Sequence, residues 1–306
     1  MSQEVNKQIA ERSFTMSFDL YQEITNRMIA ELSAGRVPWR KPWKSDNNLA
    51  ISHTTGKPYS LLNQIMLHWR PGEYITFKQC SEEGGKVRYG EKGKMIVFWK
   101  WVDKKDGDTI LMPDGREIIE QVPILKYYTV FHIDQCDGIQ PKWQKPFDPD
   151  TTLSPDDRAE EIISNYVARS GVKFISRVGN EAFYRPSDDT VVVPAISQFT
   201  DVSLRYSLCL HELSHSSGHP SRLNRITDIA AFGSEEYSKE ELVAEMGSAF
   251  LMSIAGLETR ESFRNSAAYI QGWLKALNDD KRLIVAAAGA AQKAVEYILG
   301  TDGKGV

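Results

Sequence analysis

The stretch His211-Glu212-Leu213-Ser214-His215 has the spacing of a metal-binding helix that carries its own general base. In an α-helix, residues four positions apart lie on the same face, so His211 and His215 can bind one metal ion. Glu212 directly follows the first histidine, where its carboxylate can accept a proton from an attacking water. The pentapeptide predicts a metal helix over residues 203–216 with Glu212 as the catalytic base. The alternative, a helix that carries two histidines by chance, has to be judged from the surrounding sequence.

A catalytic zinc ion usually has three protein ligands, so the two histidines need a partner. A third histidine at the spacing His-Glu-x-x-His-x-x-Gly-x-x-His would fall at position 221, which is Ser221. Residues 239–254 predict a second helix, in which Glu241 and Glu245 share a face beside apolar residues; a carboxylate there is costly to bury unless it is paired. We expect Glu241 to be the third ligand and Glu245 to accept a hydrogen bond from a ligand histidine. Glu240 is expected to face solvent, and the alternative is that all three glutamates form an exposed face.

The expected cofactor is one Zn²⁺ ion, although another divalent metal could occupy such a site. The chemistry would be water activation for attack on a carbonyl, with Glu212 passing the proton to the leaving amine. The segments 181–186 and 190–194 predict a hairpin whose edge strand could pair with an extended peptide substrate of unknown identity. The sequence does not select an oxyanion donor; the candidates are His219, Tyr206 and Tyr237.

The composition predicts a globular protein with room for two domains. The chain has 306 residues, of which 41% are hydrophobic and 25% charged. No run of 18 uncharged apolar residues exists, so we expect no membrane span. The N-terminus lacks the apolar core of a secretory signal. The three cysteines are widely spaced, so neither a disulfide framework nor a thiolate zinc site is expected, and a cytoplasmic location follows.

Charge divides the chain into two unlike halves. Residues 36–100 carry 12 Lys or Arg against 5 Asp or Glu, whereas residues 141–306 carry 18 against 23. Residues 140–157 contain four prolines and little periodicity, as in a linker. We therefore predict an α+β protein with a small mixed α/β domain at 1–140, a linker at 141–155 and a metal-binding domain at 156–306.

Periodicity places the remaining elements. Helices are predicted at residues 18–32, 59–69, 159–169, 267–277 and 283–299, and strands at 73–76, 95–101 and 124–131. Residues 104–117 predict an exposed hairpin or a disordered insert.

The N-terminal half combines tryptophans with cations. Five of the seven tryptophans lie within residues 39–101, interleaved with lysines and arginines. Single-stranded nucleic acid is bound by cations along its backbone and by aromatic rings that stack on its bases. Trp39 and Trp43 lie on a proline-rich loop and are expected to be exposed for stacking. Trp99 and Trp101 alternate with other residues in a strand, one face of which is expected to be core, so they are expected to be partly core. The expected DNA-binding residues are Arg36, Trp39, Arg40, Lys41, Trp43, Lys44, Lys57, Lys86, Arg88 and Lys92.

A set of motifs over nearly the whole chain resembles the ArdC antirestriction proteins of conjugative plasmids and other mobile elements. In the N-terminal half the motifs are Asp19-x-Tyr-x-x-Ile-Thr, Gly35-x-x-Pro-Trp-x-x-Pro-Trp43, Thr55-Gly-x-x-Tyr59-x-x-x-Asn63, Gly85-x-Val-Arg88-x-Gly-x-Lys92 and Val130-Phe-x-x-x-Gln135. In the C-terminal half they are His211-Glu-Leu-x-His-x-x-Gly-His219-x-x-Arg222-Leu-x-Arg225, Glu240-Glu-Leu-Val-Ala-Glu245 and Tyr269-Ile-x-x-Trp-Leu-x-x-Leu277.

The resemblance implies an N-terminal single-stranded DNA-binding domain, a zincin-like metallopeptidase domain, and protection of transferred DNA from restriction. It implies His211, His215 and Glu241 as metal ligands and Glu212 as the base, and it adds Tyr59 and Asn63 to the expected DNA-binding residues. Ser216 and Ser217 replace a bulkier pair of the family, which bears on the shape of the cleft. Two alternatives stay open: a DNA-coating protein with a structural metal site, and a repair peptidase acting on proteins crosslinked to DNA.

Overall fold

A computed structural model of the protein describes residues 19–40, 49–104, 109–111, 117–119, 121–143, 154–226, 235–257 and 267–301. The helices within these ranges are α1 (Leu20–Ser33), α2 (Leu61–Met66), α3 (Phe77–Glu82), α4 (Pro155–Ser170), α5 (Val202–Ser216), α6 (Glu235–Ala255), α7 (Ala267–Asp279) and α8 (Leu283–Leu299). The strands are β1 (Ala50–Ser52), β2 (Gly72–Thr76), β3 (Lys86–Val87), β4 (Lys94–Asp103), β5 (Thr109–Leu111), β6 (Glu117–Ile119), β7 (Gln121–His132), β8 (Cys136–Asp137), β9 (Lys173–Arg177), β10 (Phe183–Arg185) and β11 (Thr190–Pro194).

The N-terminal half is built on a four-stranded sheet in the order β1-β2-β7-β4. β7 pairs antiparallel with both neighbours, but β2 covers only its residues 130–132, whereas β4 pairs with it from Lys94↔Val130 to Asp103↔Gln121. Residues 96–103 and 121–128 therefore continue past β2 as a two-stranded extension, which we call the β4–β7 ribbon. The three predicted strands of this half are confirmed, and β4 and β7 are longer than predicted.

The second predicted helix, at residues 59–69, is wrong in length. α2 begins after Ser60 and ends at Met66, because His68 and Trp69 adopt left-handed backbone angles (φ 55° and 57°) that an α-helix does not contain. α1 begins at Leu20, two residues later than predicted, because the Asp19 side chain accepts a hydrogen bond from the backbone N–H of Gln22 and caps the helix.

The C-terminal half contains the helices α4 to α8 and a small sheet with the order β10-β11-β9, on which α5 packs. β10 and β11 form the predicted antiparallel hairpin, and β10 lies at one edge of the sheet. β9, which the sequence did not reveal, pairs parallel with β11. All five residues of β11 are buried, because α5 packs on this strand.

One hydrophobic cluster joins the two halves. It contains Ile24 and Trp39 from the N-terminal half together with Leu213, Met246 and Ile284 from the C-terminal half. α1 packs against α7 and α8. The mixed α/β fold with two domains thus has a continuous apolar interior, so the halves support each other. In the part of the chain that the structure describes, no helix has the length and apolarity needed to cross a membrane.

The ends of the predicted linker are folded. The backbone N–H groups of Lys142 and Trp143 both donate to the Glu73 carboxylate, at 2.9 and 2.7 Å. Ser154 caps α4, which begins at Pro155. Residues 144–153, the centre of this segment, lie outside the described residues. Parts of the predicted insert at 104–117 also lie outside them, and β5 in this insert pairs antiparallel with β6, which begins at its last residue.

Candidate metal centre

Two helices carry the candidate metal ligands. The side chain of Asp201 caps α5 by accepting from the backbone N–H of Ser203, 3.0 Å away. Along α5, Ser207, His211 and Ser214 recur at three- and four-residue steps and form one face. Along α6, Glu241, Glu245 and Ser248 do the same, and from Leu242 to Leu251 every residue of α6 is buried. The candidate metal ligands therefore belong to the interface between the two helices.

Small residues let the two helices approach closely. The Ser248 hydroxyl donates to the carbonyl of Ser207 at 2.9 Å. Gly247 lies against Ser214: a Cβ at position 247 would come within 2.9 Å of the Ser214 Oγ. Because Gly247 has no side chain, the carboxylates of α6 can reach the imidazoles of α5.

The structure brings His211, His215 and Glu241 together, with ligand atoms that all lie within 4.8 Å of one another. The two Nε2 atoms are 3.0 Å apart, and the Glu241 carboxylate lies 3.4 Å from His215 Nε2 and 3.6 Å from His211 Nε2. Ligands of a tetrahedral zinc ion, each at about 2.0–2.1 Å from it, are separated by about 3.3 Å. The three observed separations bracket this value, so the donor set fits a divalent metal ion of this type.

Glu245 supports the cluster from the second turn of the same face. Its Oε1 lies 3.6 Å from His211 Nδ1, and its Oε2 lies 3.3 Å from the guanidinium of Arg40. Both partners of this ion pair are largely buried. Arg40 was expected to bind DNA, but in the structure it reaches from the N-terminal half to a carboxylate that adjoins a candidate ligand. Nothing in the local sequence signals this contact, because the partners are 205 positions apart.

The expectation that Glu240 faces solvent is wrong. The Glu240 carboxylate lies 3.4 Å from His215 Nδ1 and accepts hydrogen bonds from Arg225, at 2.9 and 3.2 Å. Arg225 also donates to the carbonyl of Ser214, which fixes it against α5. Sequence reasoning missed both roles. The signal was present in Arg225, a cation placed shortly after the metal helix, since a buried carboxylate needs such a partner.

The carboxylates change the protonation of His215. Burial opposes a charge on this ring, but the hydrogen bonds and negative charges of Glu240 and Glu241 outweigh it and raise the pKa of His215 to about 10. Burial likewise favours the neutral form of Glu240, yet His215 and Arg225 hold its pKa below the ordinary value. In the metal-free cluster His215 is therefore protonated near neutral pH. A metal ion binds the neutral ring, so it must displace this proton.

Glu212 and a cleft along α5 are two further features of this region, although neither Glu212 nor a candidate ligand lines the cleft. Glu212 is 1% exposed and lies next to His211 in α5. A cleft of about 870 Å³ is lined by Leu204 and Leu208 of α5 and by Phe183 of the edge strand β10. Leu204, Leu208 and Glu212 recur every four residues, so the cleft runs along the helix face that leads to Glu212. An extended chain lying in this cleft would follow the edge of β10.

The three candidate oxyanion donors have different surroundings. Tyr206 is 3% exposed and belongs to the core. Burial raises the pKa of its hydroxyl, and the nearby Glu160 raises it further. His219 forms a hydrogen bond with the Ser221 hydroxyl at 2.7 Å. The side chain of Tyr237 lies outside those that the structure describes.

Two residues expected to contact DNA are core residues instead. Trp39 is fully buried, edge-on against Trp273 of α7, with ring centroids 5.0 Å apart. Asn63 is 5% exposed, and its side-chain amide exchanges two hydrogen bonds of 2.8 Å with the backbone of Val97. The expectation that Trp39 is exposed is wrong, and both side chains leave little surface for a ligand because they lie inside the protein.

The other expected DNA-binding residues differ in how far they are exposed. Lys57, Lys86, Arg88 and Lys92 are exposed, and Arg36 is exposed but paired with Glu31 at 2.6 Å. Tyr59 is half-buried edge-on against Tyr74, and burial raises its pKa to about 12. Lys41, Trp43 and Lys44 lie outside the described residues. Trp99, expected to be partly core, is 51% exposed, and the side chain of Trp101 is not among those described.

Two family models match this chain. Residues 18–131 match the N-terminal domain of the anti-restriction factor ArdC, and residues 158–290 match a zincin-like metallopeptidase domain. The first model covers the sheet of the N-terminal half, and the second covers the metal cluster. Together the two models support the mixed α/β fold class with two domains. The first model suggests DNA binding for residues 18–131, and the second suggests a divalent metal for residues 158–290.

The chain is also similar to proteins of known sequence or structure. Crystal structures of the antirestriction ArdC protein from plasmid R388, metal-free and Mn(II)-bound, each show 34% identity and a TM-score of 0.73, covering 94% of this chain and 99% of that chain. The DNA primase TraC of Escherichia coli is 36% identical over 302 residues, and the protein y4eC of Sinorhizobium fredii, described as uncharacterized, is 31% identical over 291 residues. The alignments cover 93% and 92% of this chain, and 91% of y4eC. This chain spans 27% of the length of the TraC primase.

Proposed function

Since this chain belongs to the ArdC antirestriction protein family, we propose that it binds single-stranded DNA and hydrolyses peptide bonds in proteins on or near that DNA. The peptidase centre in this proposal consists of His211, His215 and Glu241 as ligands of one Zn²⁺ or another divalent ion, with Glu212 as the general base. The DNA-binding domain comprises residues 1–140 and the peptidase domain residues 156–306; in the cytoplasm the first binds transferred plasmid DNA and the second acts on proteins associated with it.

The residues of the chain divide the work of hydrolysis among them. A divalent ion in this site supplies Lewis acidity: it lowers the pKa of a water molecule toward about 7 and polarises the carbonyl. Glu212 accepts the proton of the attacking water and delivers it to the leaving amine. Glu240 and Glu245 face the Nδ1 atoms of His215 and His211, and so orient the two rings. The cleft beside β10 holds the peptide in an extended conformation.

The convergence of two imidazole nitrogens and one carboxylate, from two helices, carries this proposal. A chance pair of histidines would not be joined by three glutamates, two of them buried, whose positions match the ligand and its supports. A purely structural metal site is usually closed by four protein ligands. In the part of the chain that the structure describes, this cluster has three, and a cleft runs along the helix toward Glu212.

Glu212→Gln tests the proposal against the non-catalytic alternative. The substitution keeps the size of the side chain and removes the base, so we expect metal content and DNA binding to match the wild type. Cleavage of DNA-bound proteins should fall by roughly 10²- to 10⁴-fold, and protection of transferred DNA in a restricting recipient should fall with it. Glu161→Gln, an exposed change on α4, is the matched control. Full protection by Glu212→Gln would instead identify a DNA-coating protein that does not need catalysis.

A further inference from the structure

The β4–β7 ribbon exposes aromatic rings. Phe98 and Tyr128 are stacked, with ring centroids 4.6 Å apart and planes 5° from parallel. Tyr128 is 54% exposed and Trp99 is 51% exposed. Single exposed aromatic residues are common on proteins, but a stacked pair forms a larger exposed apolar patch, of the kind that binding sites use. A stack with an exposed outer ring can accept a further ring.

The register of the ribbon separates its two faces. Side chains alternate between faces along a strand, and directly paired residues share a face. Phe98 pairs with Lys126, Lys100 pairs with Ile124, and Ile96 pairs with Tyr128. The ring stack therefore shares one face with the exposed Lys100 and Lys126. Trp99 lies on the opposite face with Leu125, which packs against the main core.

The charge of this face selects the class of ligand. Its described positions in the ribbon are Ile96, Phe98, Lys100, Val102, Val122, Ile124, Lys126 and Tyr128, and none of them is acidic. Two cations beside a ring stack match a single strand of nucleic acid, whose phosphates need positive charge and whose bases stack on aromatic rings without regard to sequence. A duplex offers no exposed base faces to such a stack.

We propose that the face of the β4–β7 ribbon formed by Phe98, Lys100, Lys126 and Tyr128 binds single-stranded DNA, with a base stacked on Tyr128. This inference rests on the DNA-binding part of the proposed function and locates it. It places the contact on the extension of the sheet rather than at Trp39 or Asn63, which are buried.

Crosslinking to the wild-type protein tests the location directly. A single-stranded oligonucleotide containing 5-iodouracil is bound to the full chain and irradiated, and the protein is then digested with trypsin. Lys94, Lys100, Lys126 and Lys142 bound two peptides, 95–100 and 127–142, that carry the ribbon's rings. We expect crosslinks at Tyr128 or Phe98 in these peptides. Crosslinks found only in other peptides would overturn the proposal.

Substitutions then test the energetics by fluorescence anisotropy. Tyr128→Ala should weaken binding of a single strand roughly 5- to 150-fold, the loss expected for one stacked base, whereas Tyr128→Phe should bind as the wild type does. Replacing Lys100 and Lys126 by Gln should reduce the slope of log K against log salt by about 0.7 per lysine. The matched controls are Trp99→Ala on the opposite face and Tyr89→Ala, a fully exposed ring outside the ribbon.

The outcomes separate this inference from the proposed function. Normal binding by Tyr128→Ala, or an equal loss in Trp99→Ala, would overturn the ribbon site and leave DNA binding by this chain intact. A wild-type chain that binds no single-stranded DNA would overturn both the ribbon site and the DNA-binding part of the proposed function. A duplex competitor that displaces the single strand at equal concentration would also contradict the stacking site. Peptidase activity is measured separately and depends on none of these results.

Discussion

Burial has opposite meanings in the metal cluster and in the segments of the N-terminal half that were expected to bind DNA. Glu241 and Glu245 are buried among apolar residues of α6, where a carboxylate is costly unless a cation or hydrogen-bond donors meet it. Trp39 is buried just as deeply, but a buried tryptophan is an ordinary part of a core. A buried charge therefore indicates a site, whereas an aromatic residue indicates one only when the fold leaves it exposed.

The two regions also differ in how their residues come together. The metal cluster comes from two helices whose periodicity fixes the faces on which the side chains stand. The aromatic residues of the N-terminal half are distributed over a loop, a short helix and a sheet, and their exposure depends on what packs over each of them. The C-terminal half itself provides that cover at Trp39, through Trp273.

Trp39→Ala tests the core assignment with the largest expected effect. Removing a fully buried tryptophan should lower the free energy of unfolding by about 3–5 kcal/mol. Trp99→Ala, which removes a half-exposed ring, should change it by no more than about 0.5 kcal/mol. Urea denaturation measures both. Equal stability of the two variants would contradict the difference in burial on which the comparison depends.

Glu241→Ala tests whether the buried carboxylate of α6 belongs to the metal site. Loss of one of three ligands should reduce the affinity for Zn²⁺ more than the 10- to 100-fold that a supporting residue costs. Competition with a chromophoric chelator measures the affinity, and metal analysis after dialysis measures retention. Glu161→Gln serves again as the surface control. Stoichiometric retention by Glu241→Ala would show that the carboxylate is not a ligand.

The sequence predicted the metal cluster better than its support, for a physical reason. His211, Glu212, His215 and Glu241 follow from helical spacing and the known number of ligands, and the structure brings the three predicted ligands together. Arg40 and Glu240 were misjudged because their partners are set by tertiary packing. The hairpin at β10 and β11 could be predicted from alternation, whereas the end of α2 could not, since it depends on two residues with unusual backbone angles.

Glu240→Gln tests the unexpected partner of His215 through pH. Burial favours the neutral ring, but Glu240 and Glu241 raise the pKa of His215 to about 10. Because a metal ion binds the neutral ring, the affinity of the wild type should fall about tenfold per pH unit as the pH drops below that value. In Glu240→Gln the pKa of His215 is lower, so the decline begins at a lower pH and fewer protons are released on metal binding at pH 8. Potentiometric titration in weak buffer measures this release. If Glu240→Gln released as many protons on metal binding as the wild type, Glu240 would not influence the pKa of His215.

Gly247→Ala tests the close approach of α5 and α6 with the smallest expected effect. A Cβ at this position would lie 2.9 Å from Ser214 Oγ and 3.3 Å from Ser214 Cβ, so the helices must separate slightly. We expect stability to fall by about 1 kcal/mol, at the low end for an overpacked contact, and metal affinity to fall with it as Glu241 moves from the histidines. Gly289→Ala is the matched control, since it lies in α8 with no atom within 4 Å of the added Cβ. It should raise stability by about 0.5–1 kcal/mol through helix propensity alone. A parallel gain in Gly247→Ala would mean that the spacing of α5 and α6 does not depend on this glycine.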